Sequence, residues 1–237
     1  MEGYRKKNKF IPLDKIKQIS HQFLLGLDYC HKKHIVHRYL KPENISLTKD
    51  EQVKICDFDM SKYIHEKTIS NPYIINKYYR APEMILGKID YNEKIDIFAA
   101  GCIISELFTL ARLFQEPIRG LQIFELMSIL GNPGKEYFSK FNLPANYVKY
   151  FESVKIKRID KFDEILNEEG YYDKNEIKNA ANLILNMLNW DINERYSAEK
   201  YLNHPFFFNN IKKETQKETQ KETQKEIPIK GKENTKQ

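Results

Sequence analysis

Residues 96–110, DIFAAGCIISELFTL, are apolar on nearly every face that a helix presents. A helix of that composition has no side to leave in water, so it must run through the middle of a domain with other helices packed around it. The rest of the chain has to supply that cover. Leu121–Leu130 (LQIFELMSIL) and Ala180–Trp190 (AANLILNMLNW) read as further core helices, and Ser197–Phe207 (SAEKYLNHPFF) as a last short one capped by Ser197. Upstream, Ile16, Ile19, Phe23, Leu24 and Leu27 recur at helical spacing behind Pro12 and Asp14, which predicts one amphipathic helix from about Asp14 to His31.

Strand signals are confined to one place. Ile45–Thr48 (ISLT) and Val53–Cys56 (VKIC) are short β-branched runs separated by the turn residues KDEQ, the pattern of a small hairpin. It would hold HRYLKPEN (His37–Asn44) on one side and CDFD (Cys56–Asp59) on the other. No convincing strand follows Asn92, and Gly131–Asn175, with its Gly, Pro and polar residues, reads as loop with short helical pieces. The expected fold is mainly α with one small β-hairpin.

From Lys212 the chain runs KKETQKETQKETQKEIPIKGKENTKQ, a four-residue KETQ repeat with almost no apolar content. Such a segment cannot bury enough surface to offset the entropy of ordering, so two regions are expected: a folded domain over 1–211 and a disordered low-complexity tail over 212–237. Like charges at i and i+4 disfavour a lone helix in the tail.

Charge and cysteine usage narrow the class. Of the formal +6, the tail's eight lysines and five glutamates carry +3, which leaves +3 on the domain. That balance, with no basic stripe interleaved with aromatics, argues against nucleic acid as a partner. Cys30, Cys56 and Cys102 are odd in number, far apart and form no CxxC pair, which fits a reduced, intracellular compartment. The basic N-terminus has no apolar stretch behind it, and the longest apolar run, Ile97–Ile104, is too short to span a bilayer, so no membrane partner is expected.

Five short motifs then occur in one order: HRYLKPEN (His37–Asn44), DFD (Asp57–Asp59), YYRAPE (Tyr78–Glu83), DIFAAG (Asp96–Gly101) and Arg195 within INERYSAEKYLNHPFF. In sequence and spacing they resemble the catalytic and activation segments of eukaryotic protein kinases. The YYRAPE form, AGCIISEL and LGNP (Leu130–Pro133) are similar to the branch holding cyclin-dependent, mitogen-activated and glycogen synthase kinases. NPYIINKYYRAPEMILG looks most like the glycogen synthase kinase type.

The resemblance covers roughly Pro12–Phe208 and only the large C-terminal lobe of such enzymes. No GxGxxG loop, VAIK-like strand or following helix stands in the 237 residues, so the expectation is a kinase-like C-terminal lobe with the N-terminal lobe absent. Either the coding sequence is incomplete or the protein lacks that lobe.

The resemblance also implies roles. Asn44 and Asp57 would hold magnesium ions, and Lys41 would touch the transferred phosphate of ATP; the missing lobe argues against binding of ATP and magnesium by this chain. Tyr39 stands where the family has the aspartate that accepts the substrate hydroxyl's proton. A phenol is neutral at pH 7 and bulky, and losing a positioned base costs about 10²- to 10⁴-fold. Asp59 replaces the glycine of the usual DFG, where positive φ comes less readily to an aspartate. Arg38 and Lys62 would form part of a phosphate-binding pocket, with the alternative that Arg38 only ties down the activation segment. Tyr73 matches the activation-segment tyrosine phosphorylated in this branch, with Arg80 as a nearby basic partner. Glu83 and Arg195 would form a buried ion pair, and Asp96 would steady the catalytic loop. His31, His34 and His37 recur every third residue; in this context packing or surface roles are expected rather than metal ligation.

Three functional readings follow: a catalytically impaired pseudokinase acting through a protein partner, a piece of an ATP-dependent serine/threonine kinase acting on protein substrates, and a phosphopeptide-binding module using Arg38 and Lys62.

Overall fold

The computed structural model describes residues 10–64, 77–88, 90–156 and 159–208. In chain order it holds α1 (Leu13–Lys32), β1 (Ile35–Val36), a 3-10 turn (Pro42–Asn44), β2 (Ile45–Leu47), β3 (Val53–Ile55), β4 (Lys62–Tyr63), a 3-10 turn (Lys77–Tyr79) and α2 (Pro82–Ile85). There follow α3 (Lys94–Thr109), α4 (Arg119–Leu130), α5 (Lys135–Phe138), α6 (Ala145–Ser153), α7 (Phe162–Leu166), α8 (Lys174–Met187), α9 (Ala198–Leu202) and a closing 3-10 turn (Pro205–Phe207).

The apolar helix lies where its composition requires. Every residue of α3 from Ile95 to Phe108 is buried, and α1, α7 and α8 pack around it. Gly101 makes a close approach possible: a Cβ there would lie 3.0 Å from Cβ of Met187 and 3.1 Å from the Leu188 side chain, so the backbone of α3 lies directly against side chains at the end of α8. α3 stops at Leu110, which takes a left-handed φ of 56° while its N–H still reaches Glu106 O.

α1 forms over almost the range its spacing predicts and buries Ile16, Phe23, Leu24 and Leu27. α8 begins six residues before the apolar run Ala180–Trp190, because Asp173 caps it: Oδ1 accepts from Asn175 N at 2.9 Å and from Glu176 N at 3.1 Å. Ser197 caps α9 as expected, its Oγ accepting from Lys200 N. Within Gly131–Asn175 the short helical pieces are α5, α6 and α7.

The predicted hairpin is present as β2 and β3, antiparallel, with Ile45 opposite Ile55 and Leu47 opposite Val53. A second antiparallel ladder, β1 with β4, pairs Val36 with Lys62 and Ile35 with Tyr63. Two-residue strands carry no readable period, and this ladder left no mark in the sequence pattern. Among the described residues no helix is long and apolar enough to cross a membrane.

One buried cation went unnoticed in the sequence. Lys17 of α1 is 1% exposed, its Nζ 2.7 Å from Glu176 Oε2 of α8 and 5.3 Å from the ring centre of Phe206. Removing one member of such a pair strands the other, whereas replacing both by apolar residues of similar size is close to neutral. Glu176→Ala, which takes the carboxylate from the buried Lys17 ammonium, should therefore destabilise the fold by about 3 kcal/mol in urea unfolding. Lys17→Met with Glu176→Leu should come within about 1 kcal/mol of the parent; equal losses in the single and double variants would show that packing alone is at stake.

Candidate catalytic loop and its scaffold

The loop His37–Lys41 hangs from the central helix by one carboxylate. Asp96, 1% exposed in the first turn of α3, accepts from His37 N at 2.7 Å and His31 Nε2 at 3.1 Å through Oδ2, and from Arg38 N at 2.9 Å through Oδ1. These bonds hold Arg38 at a left-handed φ of 67°. Of the three periodic histidines, His31 thus serves Asp96. His37 is fully buried and spans the loop: Nε2 donates to Cys56 O at 3.0 Å and Nδ1 accepts from Tyr39 N at 3.2 Å. A carbonyl can only accept and an amide N–H only donate, which assigns the tautomer with its proton on Nε2. His34 is exposed at the turn before β1.

Tyr39 is half-buried, and its ring has a partner. The ammonium of Lys41 sits 4.4 Å from the ring centre and 3.4 Å from the hydroxyl. A cation over a phenol face is favourable by about 0.5–2 kcal/mol depending on exposure. The side chain expected to meet a phosphate therefore rests on the side chain expected to be a carboxylate.

Asn44 is buried; its Nδ2 donates to Tyr39 O at 2.9 Å, and its own carbonyl accepts from Cys56 N at 2.9 Å. That second bond places Asp57, the residue after Cys56, beside the start of β2. The Asp57 carboxylate is exposed, and the residue takes a φ of 66°. The left-handed position in this segment is thus Asp57 and not Asp59, which is exposed and lies outside the positive-φ region among the described residues. Phe58 between them packs edge-on against His37, ring centres 4.7 Å apart.

Arg38 Nε donates to Met60 O, and its Nη1 donates to Tyr91 Oη at 3.1 Å. Lys62, in β4, lies opposite Val36. The ladder and the Arg38–Met60 bond bring Arg38 and Lys62 into one neighbourhood, with much of the guanidinium already engaged. Tyr91 is a partner that sequence reasoning missed, since a single tyrosine in a polar loop gives no signal. Tyr73 lies outside the described residues.

Behind the loop, Arg195 is completely buried and grips Glu83 with two nitrogens, each 2.7 Å from a carboxylate oxygen. Its Nε donates to Asn189 O at 2.7 Å and its guanidinium faces Phe98 at 5.1 Å. Tyr79 ties the same stretch to α3 by donating to Glu106 Oε2 at 2.7 Å; burial first and the Glu106 bond second push its hydroxyl far above the ordinary range. Burial first and Asp96 second push up the Cys30 thiol, and burial above all pushes up that of Cys102, so both stay protonated and unreactive. Among the described residues no group of three His, Cys, Asp or Glu side chains is arranged to hold a metal.

Known proteins give this geometry a family. The protein kinase domain matches residues 1–207. The chain belongs to the protein kinase family. Mitogen-activated protein kinase 13 of Homo sapiens is 33% identical over 205 residues, covering 86% of this chain and 53% of that protein. The sporulation-specific mitogen-activated protein kinase of Saccharomyces cerevisiae is 33% identical over 210 residues, 84% of this chain and 52% of that one. A mouse serine/threonine-protein kinase, ICK, is 32% identical over 203 residues, 86% of this chain and 31% of that one. The chain spans about half the length of the first two, and mitogen-activated kinases are one arm of the branch its motifs indicate. As a kinase domain it is mainly α with two small antiparallel ladders, and Tyr39 lies on the loop that Asp96 holds.

Proposed function

We propose that this serine/threonine kinase-like chain is catalytically impaired and works through a protein partner, as a C-terminal lobe over residues 1–211 followed by a low-complexity extension. The observation that carries the reading is the Tyr39–Lys41 pair. Tyr39 brings a neutral phenol to the place where the family's proton acceptor stands, and it draws the phosphate-contacting lysine onto its ring. Both effects remove positioning, which is most of what phosphoryl transfer asks of a protein.

The magnesium donors are a separate matter. One exposed carboxylate, Asp57, and one amide oxygen, from Asn44, form a set that suits magnesium, which keeps several waters and completes its shell with phosphate oxygens. Bound there, the ion would neutralise phosphate charge. Asn44 is already oriented for this by its bond to Tyr39 O, which leaves Oδ1 available.

In family members a glycine-rich loop and its lysine clamp the nucleotide, and the 237 residues contain neither. The melting temperature of the chain is accordingly expected to be the same with and without millimolar ATP and magnesium. Tyr39→Asp is expected to transfer no phosphate from labelled ATP to itself or to a serine/threonine peptide library. A clear thermal shift would overturn the loss of nucleotide binding; transfer by the variant would show that the base alone was missing. The phosphopeptide reading draws less support, because Met60 O and Tyr91 Oη already occupy Arg38.

A further inference from the structure

The end of α3, the loop after it, α4 and α7 enclose a groove of about 500 Å³. Its lining is apolar in the main: Phe10, Phe108, Leu113, Ile129, Ile165 and Leu166. Phe108, Ile129 and Leu166 are buried and form the floor, while Phe10, Leu113 and Ile165 are half-buried and present apolar surface to an occupant. Three carboxylates also line it, those of Glu125, Glu168 and Glu169, against one guanidinium, that of Arg112. Two of these charges are already engaged. Arg112 lies over the Tyr78 ring, 4.3 Å from its centre, and Glu125 accepts from Gln115 N at 2.9 Å and from Glu116 N at 3.0 Å. Glu168 and Glu169 are exposed, on a turn that Asn167 closes by bonding both N and O of Tyr172 at 2.9 Å. The groove therefore suits an apolar segment with positive charge beside it.

The sequence after the folded domain holds one such segment. In residues 212–237 the only apolar side chains are Ile227, Pro228 and Ile229, set between Lys225 and Lys230 in KEIPIK. Proline favours an extended conformation at the residue before it, and alternate residues of an extended segment face one way, so Ile227 and Ile229 can enter a groove together. The folded domain also closes nearby: the Phe206 ring of the last 3-10 turn lies 6.1 Å from that of Phe108. Residues 209–226 separate that turn from Ile227. A chain of that length without fixed structure spans about 20–25 Å and gives an effective concentration on the order of millimolar at the domain surface.

We infer that KEIPIK (Lys225–Lys230) docks in this groove of its own chain, with Ile227 and Ile229 against Phe10, Leu113 and Ile165 and its lysines beside Glu168 and Glu169. The KETQ repeats are then the tether that carries the segment there. Docking uses no residue of the catalytic loop, and it stands whether or not the chain transfers phosphate. Any basic, apolar peptide from another protein would have to displace the chain's own segment before it could use the groove.

Ile227→Asp with Ile229→Asp in the full chain empties the groove without altering any residue of the folded domain. In fluorescence anisotropy, a fluorescein-labelled KEIPIK peptide should bind this variant along a saturating curve. It should bind the parent about ten-fold more weakly, the effect of a tethered competitor at roughly millimolar concentration on a Kd of about 100 µM. Adding Glu168→Lys and Glu169→Lys to the variant should weaken peptide binding about five-fold or more and remove most of its dependence on salt. Absence of saturable binding, equal affinity in variant and parent, or binding indifferent to the two lysine substitutions would overturn the inference. So would a parent that is dimeric in light scattering and becomes monomeric with Ile227→Asp and Ile229→Asp, since the segment would then sit in the groove of a second copy.

Discussion

Replacing Glu83 by alanine should lower the stability of the fold by about 3–5 kcal/mol, because it leaves the Arg195 guanidinium charged, fully buried and without the carboxylate it grips. For a domain of this size that corresponds to a fall in melting temperature of roughly 6–20 °C. The remaining bonds from Arg195 to Asn189 O, Lys94 O and Trp190 O are to neutral carbonyls and cannot replace a carboxylate. Arg195→Leu with Glu83→Leu should recover much of the loss, since two apolar residues in that place carry no desolvation cost. Thermal unfolding followed by circular dichroism measures both. A Glu83→Ala variant melting within about 2 °C of the parent would mean that water reaches the pair.

The second large effect concerns Asp96. Asparagine has almost the same shape as aspartate, so Asp96→Asn isolates the hydrogen bonding from the packing. Both oxygens of Asp96 accept from backbone N–H groups, those of His37 and Arg38, and one also takes His31. Asparagine offers one oxygen and turns an NH₂ toward the remaining donor. About 2–4 kcal/mol should be lost, the cost of stranding one or two buried donors plus the loss of a charge-assisted acceptor. The local readout is sharper than the global one: hydrogen exchange at the amides of His37 and Arg38 should accelerate well beyond that at the amides of α3. Unchanged exchange at those two positions would show that the loop is held by something other than Asp96.

Some of this architecture could be read in advance, for physical reasons that differ by element. The central helix was legible because a run without a polar face has only one place to go. Ser197 was legible as a cap because its side chain acts on the backbone three residues ahead, within one sequence window. Lys17 was not: between Ile16 and Gln18 it reads as one more solvated lysine, and only the packing of α8 against α1 supplies Glu176. The β1–β4 ladder was invisible because its two-residue strands are made by contacts distant in sequence and not by composition, as Ile35 opposite Tyr63 and Val36 opposite Lys62 show. Asp173 was within reach, as an aspartate three residues before Glu176 and ahead of an apolar run, but the irregular composition of the preceding segment hid it.

The catalytic loop shows the same division. The order of motifs pointed to the family, and Tyr39 stood out where the resemblance implies an aspartate. What composition cannot give is where a side chain turns. That Lys41 lies over the Tyr39 ring, that Arg38 meets Tyr91, and that the left-handed residue is Asp57 and not Asp59 are all consequences of packing in three dimensions.

The Glu83–Arg195 pair joins residues 112 positions apart, Lys17 and Glu176 are 159 apart, and α9 packs against α1 at opposite ends of the folded sequence. During synthesis, Glu83 and Lys17 leave the ribosome long before the side chains that will neutralise them have been made. Until then each remains a charge that favours water, and burying it early would cost more than it returns. The domain is therefore built to delay closure: α1 and α3 can form as helices on the nascent chain, but the core around them becomes favourable only when Arg195 and the closing turn at Pro205–Phe207 arrive. A chain cut short of residue 195 would keep most of its apolar core residues and still lack the ion that lets them pack.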